Sequence, residues 1–271
     1  SLKLPMNIFY AVLLGLVQGL TEFLPVSSSG HLVLIQKIFN IDLGGADMFF
    51  DLTLHIGTLF SVCVLLRRQI ISLFKPPFKK LLYLILATIP AAVAGVFLGD
   101  AIDKIFFGGA YLAGSFALTA AILTAAQSFA KRSKNICPLR LVHAGCMGLA
   151  QAIAVIPGIS RSGTTVAAGI ISGGNREDVA EFSFLMSIPV IAGGFVVSLY
   201  KIIRGGGVAF AVSSPYAAFC IAAGVAVSAI SGFFAIKIMK KAITSARYTP
   251  FIVYLLVLAA ICGTLSFAGI L

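Results

Sequence analysis

The chain has 271 residues, of which 59% are hydrophobic and 11% charged, and its formal net charge is +11. A soluble domain carries about 25% charged residues, so the composition excludes an ordinary soluble protein and predicts an all-α integral membrane protein. The positive charge does not indicate nucleic-acid binding, because the basic residues lie in loops between apolar segments. Apolar stretches of about 20 residues predict membrane-spanning helices near 48–66, 81–99, 110–130, 179–200, 215–236 and 250–270.

Two further apolar segments, 6–40 and 141–172, are interrupted in the middle by proline and a cluster of serine and glycine. We interpret each as a re-entrant hairpin of two half-helices, because irregular polar backbone at membrane depth has to line a cavity or be buried in protein. The alternative is a pair of kinked full spans, since proline kinks are tolerated in transmembrane helices.

The interrupted segments are related to each other. Residues 15–30 (GLVQGLTEFLPVSSSG) and 148–163 (GLAQAIAVIPGISRSG) align at one fixed offset. We therefore predict a single membrane domain, 1–271, built from repeat one (6–130) and repeat two (141–271). Three predicted spans follow each hairpin, and an odd number inverts the second repeat, which gives the inverted-topology plan known from transporters.

The distribution of basic residues predicts the orientation. Alternate loops collect many lysines and arginines, including Arg67, Arg68, Lys131, Arg132 and Lys240, whereas the opposite side has few. By the positive-inside rule the first set is cytoplasmic. The first hairpin then enters from the outer face, and a site in it opens toward the extracytoplasmic side.

The first interruption contains groups suited to chemistry on an anion. Glu22 lies in an apolar segment, where an ionisable residue indicates a functional site. Gln18 is four residues earlier, on the same helical face, so the two could hold a divalent cation (Mg²⁺ or Ca²⁺) or a water. Then Ser27, Ser28, Ser29 and Gly30 lead to His31 at the start of the returning half-helix, where free N–H groups favour a phosphate.

The second interruption places a cation at the equivalent point. Arg161 aligns with Ser28, and Val155 aligns with Glu22. A guanidinium recognises phosphate oxygens in a bidentate manner and stays charged in a poorly solvated site. Ser160, Ser162 and Thr165 surround it in sequence and are the further candidate phosphate-binding residues. An acid, hydroxyls, an imidazole and a guanidinium together suit phosphoryl transfer.

These motifs resemble the undecaprenyl-diphosphate phosphatases, also called bacitracin-resistance proteins. That family has a Glu/Gln-x-x-x-Glu pair followed by a serine-rich stretch ending in Gly-His, and a Pro-Gly-x-Ser-Arg-Ser-x-x-Thr motif, which match Gln18 to His31 and Pro157 to Thr165. The resemblance extends to residues 50–58 and 182–189. It implies a divalent-cation-dependent enzyme of the bacterial plasma membrane that hydrolyses undecaprenyl diphosphate to the monophosphate and phosphate, recycling the lipid carrier of peptidoglycan synthesis.

The expected catalytic residues are Glu22, Ser28, His31 and Arg161, with either Ser28 or His31 as the nucleophile. Asp51 and His55, spaced i, i+4, are either an ordinary helix pair or part of the site. The expected partners are a polyprenyl diphosphate and membrane lipids, and the sequence is compatible with a monomer or a homodimer. The functional alternative is a secondary transporter or lipid flippase, which uses the same inverted-repeat plan.

Overall fold

The computed structural model of the chain describes residues 7–41, 47–105, 109, 111–132, 137–204 and 215–271. Within these ranges the regular secondary structure is α-helical, with isolated bridge residues such as the pair Cys137 and Gly174. Its helices are α1 (Ile8–Phe23), α2 (Ser28–Ile38), α3 (Asp47–Leu65), α4 (Arg67–Leu73), α5 (Lys79–Ile105), α6 (Leu112–Arg132), α7 (Leu141–Ile153), α8 (Arg161–Ile171), α9 (Arg176–Arg204), α10 (Pro215–Thr244) and α11 (Thr249–Phe267).

Each predicted span coincides with a helix. Five helices, α5, α6, α9, α10 and α11, contain segments long and apolar enough to cross a membrane. The sixth predicted span is α3, which meets α4 at Leu66 with a bend of 78° and passes the same test only together with it. The sequence did not predict α4, because Arg67 and Arg68 at its start read as a charged loop. These apolar helices establish a multi-pass membrane protein.

Each predicted interruption is a break between two helices. The first pair is α1 and α2, and the second pair is α7 and α8; both leading helices are apolar but shorter than a full span. Ser27 is the N-cap of α2 and Ser160 is the N-cap of α8. The two serines align between residues 15–30 and 148–163, so the same local capping chemistry restarts the helix after each break.

The helices around the hairpins pack in a recurring pattern. α1 packs against α10, and α7 packs against α5. α3 contacts both α9 and α10, while α6 contacts α8 and α11. Buried apolar side chains such as Phe116, Leu123 and Phe182 form the main core between these helices. Val96 and Phe97 on α5 are largely exposed, as expected for a face that lies against lipid.

Arg176 ties together the ends of three helices. It is the first residue of α9, and its guanidinium donates to the Ala130 carbonyl of α6 and, at 3.3 Å, to the Thr244 carbonyl of α10. The last carbonyls of a helix have no partner within it, and a cation there complements the helix dipole. This contact fixes α9, and with it the adjoining hairpin α7–α8, against the rest of the bundle.

Candidate active site

The first break turns on a serine in an unusual backbone conformation. Ser27 has φ 71° and ψ 101°, a region that costs a non-glycine residue of order 1–3 kcal/mol and occurs preferentially at functional sites. Its hydroxyl accepts from the Gly30 N–H at 3.4 Å. The following residues, Ser28 and Ser29, therefore occupy the first turn of α2, where backbone N–H groups lack intrahelical partners.

The two breaks touch each other. The Gly158 N–H donates to Ser29 Oγ at 3.3 Å, and Ser162 Oγ donates to the Leu24 carbonyl at 2.9 Å. Gly158 has φ +85°, and a Cβ added to Gly30 would lie 3.3 Å from the Gly158 Cα. Glycine at these two positions lets the breaks approach closely. The starts of α2 and α8 are thus brought to one place.

Glu22 is the centre of the resulting cluster. Its Oε2 accepts from Ser28 Oγ at 2.6 Å and from Gln18 Nε2 at 3.1 Å, and its Oε1 pairs with the Arg161 guanidinium. The Glu22 side chain is 6% exposed and the Arg161 side chain 14%. A buried charge is stable when it is paired and fully hydrogen-bonded, which describes this carboxylate. Four of the predicted residues, one of them from the second repeat, are therefore joined directly.

His31 lies in a different set of contacts. Its Nδ1 is 2.6 Å from the Ser27 carbonyl, and its Nε2 is 2.7 Å from the Tyr254 hydroxyl of α11. A carbonyl can only accept, so Nδ1 carries the proton, and in the neutral ring Nε2 accepts from Tyr254. The ring also packs edge-on against Phe116. Both ring nitrogens of His31 are occupied, and among the described contacts neither joins Glu22 or Arg161.

The remaining predicted hydroxyls divide into two groups. Ser28 is partly exposed and Ser29 is exposed, so a ligand can reach both. Ser27, Ser160, Ser162 and Thr165 are all buried. Ser160 Oγ accepts from the Gly163 N–H, and Thr165 Oγ1 lies 2.7 Å from Ser183 Oγ of α9. The structure thus gives the buried hydroxyls of Ser160, Ser162 and Thr165 bonds that shape the second break and fix α8 against its neighbours.

Two residues outside the principal prediction contact the site. His55 of α3 approaches Glu22, with 3.7 Å between Nε2 and Oε2; the sequence left it open between a helix pair and a site role. Tyr254 was not predicted, because a tyrosine within an apolar span gives no local signal. Only the packing of α11 brings its hydroxyl to His31.

The fold and the site define a multi-pass membrane protein with a carboxylate, a serine hydroxyl and a guanidinium gathered at two helix N-termini, an arrangement suited to phosphate chemistry. Residues 11–261 match the family described as Bacitracin resistance protein BacA. The chain belongs to this family.

Curated relatives agree over almost the whole length. The chain is 39% identical over 266 residues to the undecaprenyl-diphosphatase of Carboxydothermus hydrogenoformans, with 97% of this chain and 99% of the relative covered. It is 36% identical over 272 residues to that of Parabacteroides distasonis, with 97% and 98% covered. With the undecaprenyl-diphosphatase of Thermodesulfovibrio yellowstonii it shares 37% over 261 residues, with 96% and 98% covered.

Proposed function

We propose that this chain is a membrane undecaprenyl-diphosphatase that hydrolyses undecaprenyl diphosphate to undecaprenyl phosphate and inorganic phosphate. Membership of the BacA family and the names of the relatives support this activity. The observation in the structure that carries it is the junction of Ser28, Glu22 and Arg161. The junction combines a nucleophile, a base and an anion-binding cation, each taken from the residues that phosphoryl transfer requires.

Substrate binding is assigned to the cation and to the two helix starts. The diphosphate is an anion, and the first turns of α2 and α8 present backbone N–H groups at the positive end of each helix dipole. Arg161, at the first position of α8, provides a guanidinium whose N–H groups can bind two phosphate oxygens at once. A bound phosphate competes with the Glu22 carboxylate for the Arg161 guanidinium, because carboxylate and phosphate oxygens both match the spacing of the guanidinium N–H groups.

Ser28 is the nucleophile that the contacts favour. Its Oγ already donates to Glu22 Oε2 at 2.6 Å, within the reach required of a general base. Glu22 takes the proton while Oγ bonds to the terminal phosphorus, and the P–O bond to the lipid monophosphate breaks. His31 is disfavoured as the nucleophile because Ser27 and Tyr254 occupy its two ring nitrogens.

The second step releases phosphate from the serine. Water attacks the phosphorus of phosphoserine 28 and passes one proton to His31, while protonated Glu22 returns its proton to the departing Ser28 Oγ, so that inorganic phosphate leaves and the hydroxyl is restored. The neutral His31 ring has its lone pair on Nε2, which faces the Tyr254 hydroxyl. His31 can therefore exchange a proton there once the Tyr254 hydroxyl moves away.

A divalent cation fits part of this donor set. Gln18 Oε1 is buried and has no hydrogen-bond partner, and the Glu22 carboxylate is adjacent to the Gln18 amide. Mg²⁺ is commonly held by one or two carboxylates together with substrate phosphates. Gln18 and Glu22 would hold the cation with the diphosphate, and the cation would neutralise charge on the phosphate oxygens.

We further propose that the chain is an inverted repeat of residues 6–130 and 141–271, with re-entrant hairpins. The helix pairing supports this, because α1 packs on α10 as α7 packs on α5. Gly15 and Gly148 align in the sequence, and both permit these close contacts. A Cβ added to Gly15 would lie 2.4 Å from the Gly224 carbonyl oxygen, and a Cβ added to Gly148 would lie 2.7 Å from the Ala87 carbonyl oxygen. In this plan the protein lies in the bacterial plasma membrane with the site open to the outer side.

The test is release of phosphate from a polyprenyl diphosphate by the purified protein, with and without a chelator. We expect the wild type to hydrolyse the lipid and chelation to slow it. Glu22→Gln and Arg161→Ala should each lower kcat/KM by about 100-fold or more, because each removes a base or a charged donor from the transition state.

Gln151→Leu is the matched control, since Gln151 aligns with Gln18 in the sequence but its side-chain amide makes no hydrogen bond within the described part of the chain. Its activity should equal that of the wild type. Wild-type protein that releases no phosphate under any condition would refute the phosphatase and favour a transport function. Active Glu22→Gln protein would refute the assigned site. Phosphate trapped on His31 rather than Ser28 would refute the assigned nucleophile.

A further inference from the structure

One turn of helix α6 touches both breaks. Phe116 packs edge-on against His31, and a Cβ added to Gly30 would lie 2.8 Å from the Phe116 ring. Ser115 and Thr119, on the same helix, form hydrogen bonds with the second break. The three α6 side chains are all buried. This helix therefore lies against both halves of the proposed site.

The two α6 hydroxyls bind backbone groups of the second break. Ser115 Oγ donates to the Pro157 carbonyl at 3.2 Å, and the Ser160 N–H donates to Thr119 Oγ1 at 3.2 Å. The hydroxyl proton of Thr119 is directed at the Ser115 carbonyl, at 2.9 Å, so its oxygen acts as the acceptor toward Ser160. Neither bond depends on the protonation state of a titratable group.

The backbone that α6 holds leads directly into Arg161. Ser160 is the N-cap of α8, and Arg161 is the first residue of that helix. A Cβ added to Gly158 would lie 2.8 Å from Ser115 Cβ, so the turn lies directly on α6. A buried N–H without an acceptor is costly, which favours keeping Ser160 at Thr119. The position from which Arg161 reaches Glu22 is therefore set by α6.

We propose that Ser115 and Thr119 are positioning residues that act through Arg161. They hold the turn before α8 so that the guanidinium lies beside Ser28, where the terminal phosphate has to bind. Both residues lie outside the two sequence motifs, on a helix that follows the first hairpin by more than 70 residues. This inference rests on the proposed function, in which Arg161 binds the diphosphate.

The test compares Thr119→Val with Thr119→Ser in the phosphate-release assay. Valine has nearly the shape of threonine but offers Ser160 no acceptor, whereas serine keeps the hydroxyl. We expect Thr119→Val to lower kcat/KM about 10-fold or more, as for a misplaced binding group. KM should rise at least about threefold, because Arg161 binds phosphate in the ground state as well as in the transition state. Thr119→Ser should keep both constants within about twofold of the wild type.

Two further variants complete the test. Ser115→Ala removes the donor to the Pro157 carbonyl with little change in volume, and it should also raise KM at least about twofold. Thr124→Val is the control on the same helix, because the Thr124 hydroxyl donates to the Ala120 carbonyl of α6 itself, at 2.8 Å. It should keep the wild-type kcat and KM. Thermal denaturation of all four variants separates lost positioning from lost folding, since a smaller folded fraction lowers the apparent kcat but leaves KM unchanged.

Several results would overturn the proposal. These are a wild-type KM in Thr119→Val or in Ser115→Ala, equal losses in Thr119→Val and Thr119→Ser, or an equal loss in Thr124→Val. If Thr119→Val does not fold, the KM of Ser115→Ala decides by the same criterion. Each result is judged against active wild-type protein, so it refutes the role of the α6 hydroxyls alone. A wild type without activity would instead refute the phosphatase itself, and this inference with it.

Discussion

Two glutamines that align between residues 15–30 and 148–163 differ in their contacts. Gln18 donates to Glu22, whereas both amide atoms of Gln151 are buried without a hydrogen-bond partner. An unpaired buried polar group costs about 1–3 kcal/mol. The first hairpin therefore uses its glutamine in the site, and the second retains one that opposes folding.

This difference predicts that a Gln-to-Leu substitution has different effects at positions 18 and 151. Gln151→Leu should raise the free energy of unfolding by about 1 kcal/mol or more, because it removes an unpaired buried amide, and should leave phosphatase activity unchanged. Gln18→Leu should lower activity at least about 10-fold, because Glu22 loses a hydrogen bond and the proposed cation loses a ligand. Denaturation in detergent and the phosphate-release assay measure the two effects. A less stable Gln151→Leu protein would contradict the argument.

At the scale of helices, the ends are held by side chains from distant elements. Arg176 binds carbonyls near the ends of α6 and α10, and Gln127 of α6 accepts from the Tyr248 N–H at 2.8 Å just before α11. Burial raises the pKa of the nearby Tyr248 hydroxyl above its usual range, so this group stays neutral. These contacts close the bundle on the side away from the hairpin breaks.

We expect Arg176→Met to destabilise the fold without altering the chemistry. Methionine keeps much of the apolar stem but removes two charge-assisted hydrogen bonds, at a cost of about 1.5–3 kcal/mol each when a partner is left unsatisfied. The melting temperature in detergent should fall, while kcat of the protein that remains folded should be close to that of the wild type. Arg140→Met, in which the lost side chain makes no described contact between helices, is the control. Equal melting temperatures for Arg176→Met and Arg140→Met would contradict the role of Arg176 in holding α9 against α6 and α10.

At the scale of the whole molecule, the proposed inverted repeat requires the two hairpins to enter from opposite faces. Lys37 near the end of α2 should then be extracytoplasmic, and Lys131 near the end of α6 cytoplasmic. Both are exposed. The five native cysteines (Cys63, Cys137, Cys146, Cys220 and Cys262) are free thiols, so the test needs a background that lacks them.

In that background, Lys37→Cys should react with an impermeant thiol reagent in intact cells. Lys131→Cys should react only after the cells are permeabilised, because the membrane separates it from the reagent. Reaction of both cysteines from outside would exclude the opposite entry of the hairpins. The reverse pattern would keep the repeat but invert its orientation in the membrane.

The sequence by itself determined the class of the protein and the described helices other than α4, and it supplied the candidate site residues. Apolar stretches of membrane-spanning length predicted helices because a lipid environment requires every backbone group to bond within its own segment. The Pro, Ser and Gly clusters predicted the two breaks because these residues cap or interrupt helices locally. Glu22 was predicted as a site residue because an ionisable group in an apolar segment indicates a functional site, and Arg161 because a guanidinium binds phosphate and stays charged in a poorly solvated site.

Only the tertiary structure decided which groups meet. In the folded chain Ser28 and Arg161 bind the two carboxylate oxygens of Glu22. His31 forms a hydrogen bond with Tyr254, and Thr165 forms one with Ser183. The tertiary structure also brought His55 to the site from α3. Such contacts depend on how helices that are distant in the sequence pack against one another and on how each helix is rotated about its axis. A local pattern of residues predicts one helix, but it does not predict which helix lies beside it.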